Sequence, residues 1–118
     1  MDDPGKEIKP IARELSGVVS RVGNDTETLK PGDRVFAVTL GHCLDKTVAL
    51  KASLVTSIPN ELSYEDAATI PICFTTAFHA LIEVGRLKHG QRVLIYGAAS
   101  VIGQAAIQIC KAVGAQVS

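Results

Sequence analysis

The chain has 118 residues, twelve of them basic and twelve acidic, for a formal net charge of zero. That balance leaves no electrostatic footprint for nucleic acid or an anionic membrane surface. The apolar runs are broken by Gly, Pro or polar residues well short of the roughly 20 needed to span a bilayer. Cys43, Cys73 and Cys110, odd in number and far apart, suit reduced thiols in the cytosol better than a disulfide framework.

Residues 1–13 carry two prolines, several charges and no apolar period, which predicts a loose lead-in rather than a signal peptide. Leu15, Val18, Val19 and Val22, with Ser16 and Gly17, predict a strand that the turn residues Gly23-Asn24-Asp25 close. A second turn, Lys30-Pro31-Gly32-Asp33, introduces the strand-like Arg34-Val35-Phe36-Ala37-Val38. Thr47–Leu50 and Leu54–Ile58 read as further short strands split by Lys51-Ala52-Ser53. Short strands at close spacing between Gly and Pro turns predict a small antiparallel barrel or sandwich.

Beyond Pro59 the pattern changes. Ser63 with Asp66 three residues on has the spacing of a capping box that starts a short helix. Pro71 is expected to interrupt it, after which Thr75 or Thr76 opens a second helix. Ala77, Phe78, Leu81, Ile82 and Val84 are its apolar residues, and it should end near Gly85. The boundary between the β-rich piece and an α/β piece falls near residue 73.

Gln91 to Ala115 is the stretch with chemical content. Val93-Leu94-Ile95 is the continuous apolar run of a strand buried on both faces, and Tyr96-Gly97-Ala98-Ala99-Ser100 is a small-residue turn. Ile102, Ala105, Ala106, Ile109 and Val113 then recur at helical spacing, with Gly114 where a C-cap belongs. A strand feeding a helix through such a turn aims the helix's first N–H groups at the space above the strand's end, a favourable place for a pyrophosphate. The fingerprint G-x-G-x-x-G is incomplete. Gly103 is its third glycine, and Ala98 and Ser100 stand where the first two belong. A doubly wound sheet needs more units than this one, and Gln116-Val117-Ser118 reads as the beginning of a second strand. The expectation is therefore a piece of a larger enzyme.

The order Glu14-Leu15-Ser16-Gly17-Val18-Val19, Val22-Gly23 and Pro31-Gly32-Asp33-Arg34-Val35-Phe36 resembles the N-terminal domain of medium-chain dehydrogenase/reductases. Ile58-Pro59, Ser63-Tyr64-Glu65-Asp66-Ala67-Ala68, Ile70-Pro71, Thr76-Ala77, Leu81 and Leu94-Ile95-Tyr96-Gly97-Ala98-Ala99 continue the resemblance in register. Within the family the wording is similar to the zinc-free quinone-oxidoreductase branch, in particular to the enoyl reductase domain of fungal-type reducing polyketide synthases. The resemblance implies a mixed fold. Residues 14–73 would be part of a GroES-like β-rich substrate and catalytic domain. Residues 74–118 would be the first strand, turn and helix of a Rossmann-type doubly wound domain. Zinc-dependent members carry His-Glu where this chain has Arg13-Glu14, and no C-x-x-C or H-x-x-x-H spacing rebuilds a metal site.

By the same resemblance Thr76 lies near a nicotinamide ring, the alternative being a plain helix N-cap. Ala99, Ser100, Val101 and Ile102 would present N–H groups to the pyrophosphate with Gly103 as packing glycine, the alternative being a simple tight turn. His42 beside Cys43 suggests a nucleophile and base, yet no third group orients them and the pair sits in a loop. His79 reads as a helix-surface or interface residue, His89 as part of a Lys-His-Gly turn, and Tyr96 as packed under the neighbouring helix, the alternative being a phenol that reaches the cofactor region. No carboxylates form an acid/base pair, and no catalytic residue is assigned. The implied reaction is hydride transfer from NADPH to the β-carbon of an enoyl thioester delivered on an acyl carrier. A stand-alone quinone or enone reductase is the second reading. An inactive remnant with a nucleotide-binding or assembly role is the third.

Overall fold

A computed structural model describes residues 12–39, 41 and 43–118. The chain divides into two compact units, one ending at Ala68 and the other starting at Thr69. His42 and nearly all of the lead-in lie outside the described residues.

The first unit is a three-stranded antiparallel sheet with a short helix. Strand β1 (Glu14–Val18) pairs with β2 (Arg34–Val38) in the register Glu14 to Val38 through Val18 to Arg34. Strand β3 (Val55–Ser57) pairs with the other edge of β2, Val35 facing Ser57 and Ala37 facing Val55. The turn residues close this arrangement. The Asp33 carboxylate accepts from the Lys30 N–H at 2.9 Å, and Gly32, at φ +95°, donates to the Val19 carbonyl at 2.8 Å. Only a residue without Cβ enters that conformation cheaply. Along β2 the alternation places Val35 and Ala37 in the core with Ile58 and Ala67.

Helix α1 (Tyr64–Ala68) starts as its sequence predicts, with the Ser63 hydroxyl accepting from the Asp66 N–H at 3.0 Å and donating to the Asp66 carboxylate at 2.8 Å. Two side chains tie it to the sheet. The Ser16 hydroxyl donates to the Tyr64 carbonyl, and the Arg34 guanidinium donates to the carbonyls of Pro59, Asn60 and Leu62 while lying 4.5 Å from the Tyr64 ring centre.

Two predicted strands are corrected. The first ends at Val18, because Val19 only closes the hairpin through its N–H to the Asp33 carbonyl. Thr47–Leu50 is not a strand: among the described residues it has no ladder partner, and β propensity without a partner fixes nothing. Leu54 belongs to a single 3₁₀ turn, Ala52–Leu54, that leads into β3.

In the second unit, helix α2 (Pro71–Phe78) begins at the proline instead of after it. The predicted interruption falls at Thr69 and Ile70, between α1 and α2, and only the expectation that a threonine starts the second helix is wrong. Pro71 takes the first helical position, where its missing N–H would have had no partner. The helix widens into a π-helical segment, His79–Val84, and closes as Gly85 donates to the Ala80 carbonyl at 2.9 Å. Strand β4 (Arg92–Val93) pairs in parallel with β5 (Gln116–Val117) across helix α3 (Val101–Val113). Gly114 caps α3 at φ +79°, as its position in the sequence predicts. Ala77 of α2 and Ala105 and Ala106 of α3 form the buried centre, with Cys73, Phe74, Leu81, Ile95 and Ile109 packed around it. Small residues at the crossing let the two backbones approach closely.

Candidate functional site

The turn from Gly97 to Ser100 joins β4 to α3, and its geometry follows from three backbone economies. The Ser100 N–H donates to the Gly97 carbonyl at 2.9 Å, closing the turn with Gly97 at φ +69°. The Ser100 hydroxyl accepts from the Gly103 N–H at 3.1 Å, so Ser100 is the N-cap of α3. The Gln104 N–H donates to the Ser100 carbonyl at 2.8 Å, the first bond inside the helix.

What remains are the amides of Val101 and Ile102, in the first turn of a helix where no intrahelical acceptor exists, and the amide of Ala99, which makes no bond in the turn. They sit at the positive end of the α3 dipole. The expected donor set is thereby sharpened: Ala99, Val101 and Ile102 have amides to offer, whereas those of Ser100 and Gly103 are committed within the turn. Ser100 contributes its hydroxyl proton instead. Gly103 is buried against the turn, where a Cβ would collide with the Gly97 carbonyl oxygen.

Beside the turn lies a hollow of about 200 Å³ bounded by Cys73 and Phe74 of α2, by Ala99, and by Val101, Gln104 and Gln108 of α3. Thr76 is not part of it. Thr76 stands on the exposed side of α2, five residues after the proline that begins the helix, so it is not an N-cap. Tyr96 is 90 % exposed, which overturns the expectation that it packs under the neighbouring helix. The expected Val93-Leu94-Ile95 strand buried on both faces is also corrected: β4 ends at Val93 and Leu94 is 63 % exposed, the extended chain turning Val93 and Ile95 inward and Leu94 and Tyr96 outward.

Sequence reasoning missed Gln104. Its side-chain N–H donates to the Ala98 carbonyl at 2.9 Å, spanning six residues of chain. The only trace in the sequence is an amide one residue after Gly103, which a helix surface would carry in any case.

Cys43 is half-buried and its thiol lies 3.4 Å from the Glu14 carbonyl. Burial raises the Cys110 thiol above its ordinary value, holding it protonated. His79 is exposed, and His89 packs against Gly114. Among the described residues no three His, Cys, Asp or Glu side chains converge as metal ligands. Among the same residues no helix is long and apolar enough to cross a membrane.

Comparison with known proteins agrees with this architecture. No protein-family model matches. A polyketide synthase system protein of Streptomyces orinoci is 39% identical over 109 residues, 92% of this chain and 5% of that protein. A highly reducing polyketide synthase of Gibberella zeae is 43% identical over 108 residues, 91% of this chain and 4% of that protein. The chain thus spans about a twentieth of the curated relatives it matches. Among solved structures, CurK enoyl reductase superposes with a TM-score of 0.83 at 33% identity, covering 92% of this chain and 33% of that one. A mycobacterial protein complexed with NADPH gives 0.79 at 26% identity, covering 97% of this chain and 36% of that one.

The fold is that of the alcohol dehydrogenase-like, medium-chain dehydrogenase/reductases. Within them the chain belongs to the quinone-oxidoreductase-like branch and is homologous to the enoyl reductase region of reducing polyketide synthases.

Proposed function

We propose that this chain is the part of an NADPH-dependent enoyl reductase that carries the pyrophosphate turn, in an enzyme that reduces the α,β double bond of an acyl thioester in polyketide-type biosynthesis. One observation carries the reading: Val101 and Ile102 present acceptor-less amides at the N-terminus of a 13-residue helix that a small-residue turn joins to the parallel strand β4. The polyketide synthase relatives and the NADPH-bound neighbour support the cofactor and substrate classes.

The residues fit the group. The amides of Ala99, Val101 and Ile102 and the Ser100 hydroxyl bind the pyrophosphate, while Gly103, lacking Cβ, keeps α3 close to the turn. Thr76 is assigned to the nicotinamide end. Residues 14–73 are assigned to a GroES-like substrate domain and residues 74–118 to the start of a Rossmann-type dinucleotide-binding domain, with an acyl carrier presenting the thioester. Bound NADPH supplies a hydride to the β-carbon of the enoyl group. The protein's part at this turn is to hold and orient the phosphates, and its small residues bring backbone donors near them.

Ser100→Asp tests the turn. Asp caps a helix as well as Ser does, so the melting temperature should hold. A carboxylate beside the pyrophosphate should weaken NADPH binding, followed by its fluorescence, by about 10-fold. Equal affinity would remove the proposed site. Following NADPH oxidation with a crotonyl thioester and with a quinone separates the substrates. Turnover with the quinone alone points to a stand-alone quinone or enone reductase, and binding with neither turnover to a non-catalytic nucleotide-binding piece.

A further inference from the structure

We infer that Gln104 is a positioning residue for the cofactor, acting through one peptide plane. This deepens the nucleotide reading of the turn and rests on it. The Gln104 side-chain N–H donates to the Ala98 carbonyl at 2.9 Å. The Ala98 carbonyl and the Ala99 N–H belong to the same planar trans peptide, in which they point in opposite directions. Holding the carbonyl toward Gln104 therefore points the Ala99 N–H the opposite way within the plane, away from the Gln104 side chain.

The rest of the turn makes this bond decisive. Ser100 is anchored at three points: its N–H to Gly97, its hydroxyl to Gly103 and its carbonyl to the Gln104 N–H. Gly97 sits at φ +69° and Gly103 is wedged against the Gly97 carbonyl. Between these anchors the Ala98–Ala99 peptide has no bond other than the one Gln104 supplies. Ala98 is half-buried against Gly103, but Ala99 on the other side of the peptide is exposed. Rotation of this plane would turn one of the three available amides away from a phosphate while leaving the helix intact. Gln104 thus supplies a side-chain clasp for the one peptide of the turn that the other hydrogen bonds leave unheld.

Gln104→Met keeps the length of the side chain and removes the donor. Gln108→Met, one helical turn further along the same face and also exposed, is the matched control. The experiment is amide NMR on the full chain with and without NADPH, alongside the melting temperature. In the wild type and in Gln108→Met, NADPH should shift the Ala99, Val101 and Ile102 amides together. In Gln104→Met the Ala99 amide should become mobile on its own before ligand is added, and the NADPH dissociation constant should rise about threefold to tenfold, the size of one hydrogen bond. The Val101 and Ile102 responses should persist, a pattern that general destabilisation would not produce.

An Ala99 amide as ordered in Gln104→Met as in the wild type overturns the inference, whatever NADPH does. A mobile Ala99 with unchanged NADPH affinity also overturns it. NADPH shifting none of these amides in the wild type removes the nucleotide reading, and with it the role assigned to Gln104.

Discussion

Gly103 faces the backbone of Gly97 and Ala98 so closely that a methyl group in its place would strike the Gly97 carbonyl oxygen and stand 2.8 Å from the Ala98 α-carbon. Both neighbours are main chain, so neither can swing aside as a side-chain end would. This contact seats the first turn of α3 on the turn that precedes it.

Gly103→Ala is expected to destabilise the chain. Helix propensity alone would favour alanine by about 1 kcal/mol. Overpacking against rigid backbone opposes it by roughly 1–3 kcal/mol, so the net effect is a loss of as much as ~2 kcal/mol. Urea denaturation measures this, and a variant as stable as the wild type would show that the turn gives way freely.

Arg34→Lys should also destabilise, despite keeping the charge. The guanidinium reaches three carbonyls, those of Pro59, Asn60 and Leu62, and covers the Tyr64 ring. An ammonium cannot match that fork, and about 1–2 kcal/mol should be lost because carbonyls are left less well satisfied. Denaturation of Arg34→Lys beside Arg34→Met separates donor geometry from packing. Lysine equal to arginine would rule out the fork.

Stability should fall with alkaline pH through Cys110. Its folded value is raised by burial, so as pH climbs past the ordinary thiol value of about 8.5 the unfolded chain gives up this proton first. The unfolded state then binds fewer protons than the native one, and unfolding free energy decreases with pH until the folded thiol also ionises. Comparing denaturation at pH 8 and pH 10 with Cys110→Ala, which has no such proton, isolates the effect. An identical pH slope in the variant would exclude Cys110 as the cause.

Much of the site was legible because its signals are local. Ser63 with Asp66, Gly32 in its turn, Gly114 after Val113 and the small-residue run before Gly103 each act over six residues or fewer, and each does what its spacing predicts. The break before Pro71 was legible, but the start of the second helix was misread because a proline that stops one helix and a proline that begins another look alike locally. Thr76 lost its N-cap reading for the same reason.

By itself the sequence determined where chain direction changes and that a helix would begin with free amides above a strand's end, since capping and glycine conformations are short-range energies. Tertiary structure alone decided that Thr47–Leu50 joins no sheet, that Tyr96 faces outward, and that the Gln104 side chain reaches the Ala98 carbonyl. Each depends on a partner supplied by the folded backbone, so no window of sequence contains it.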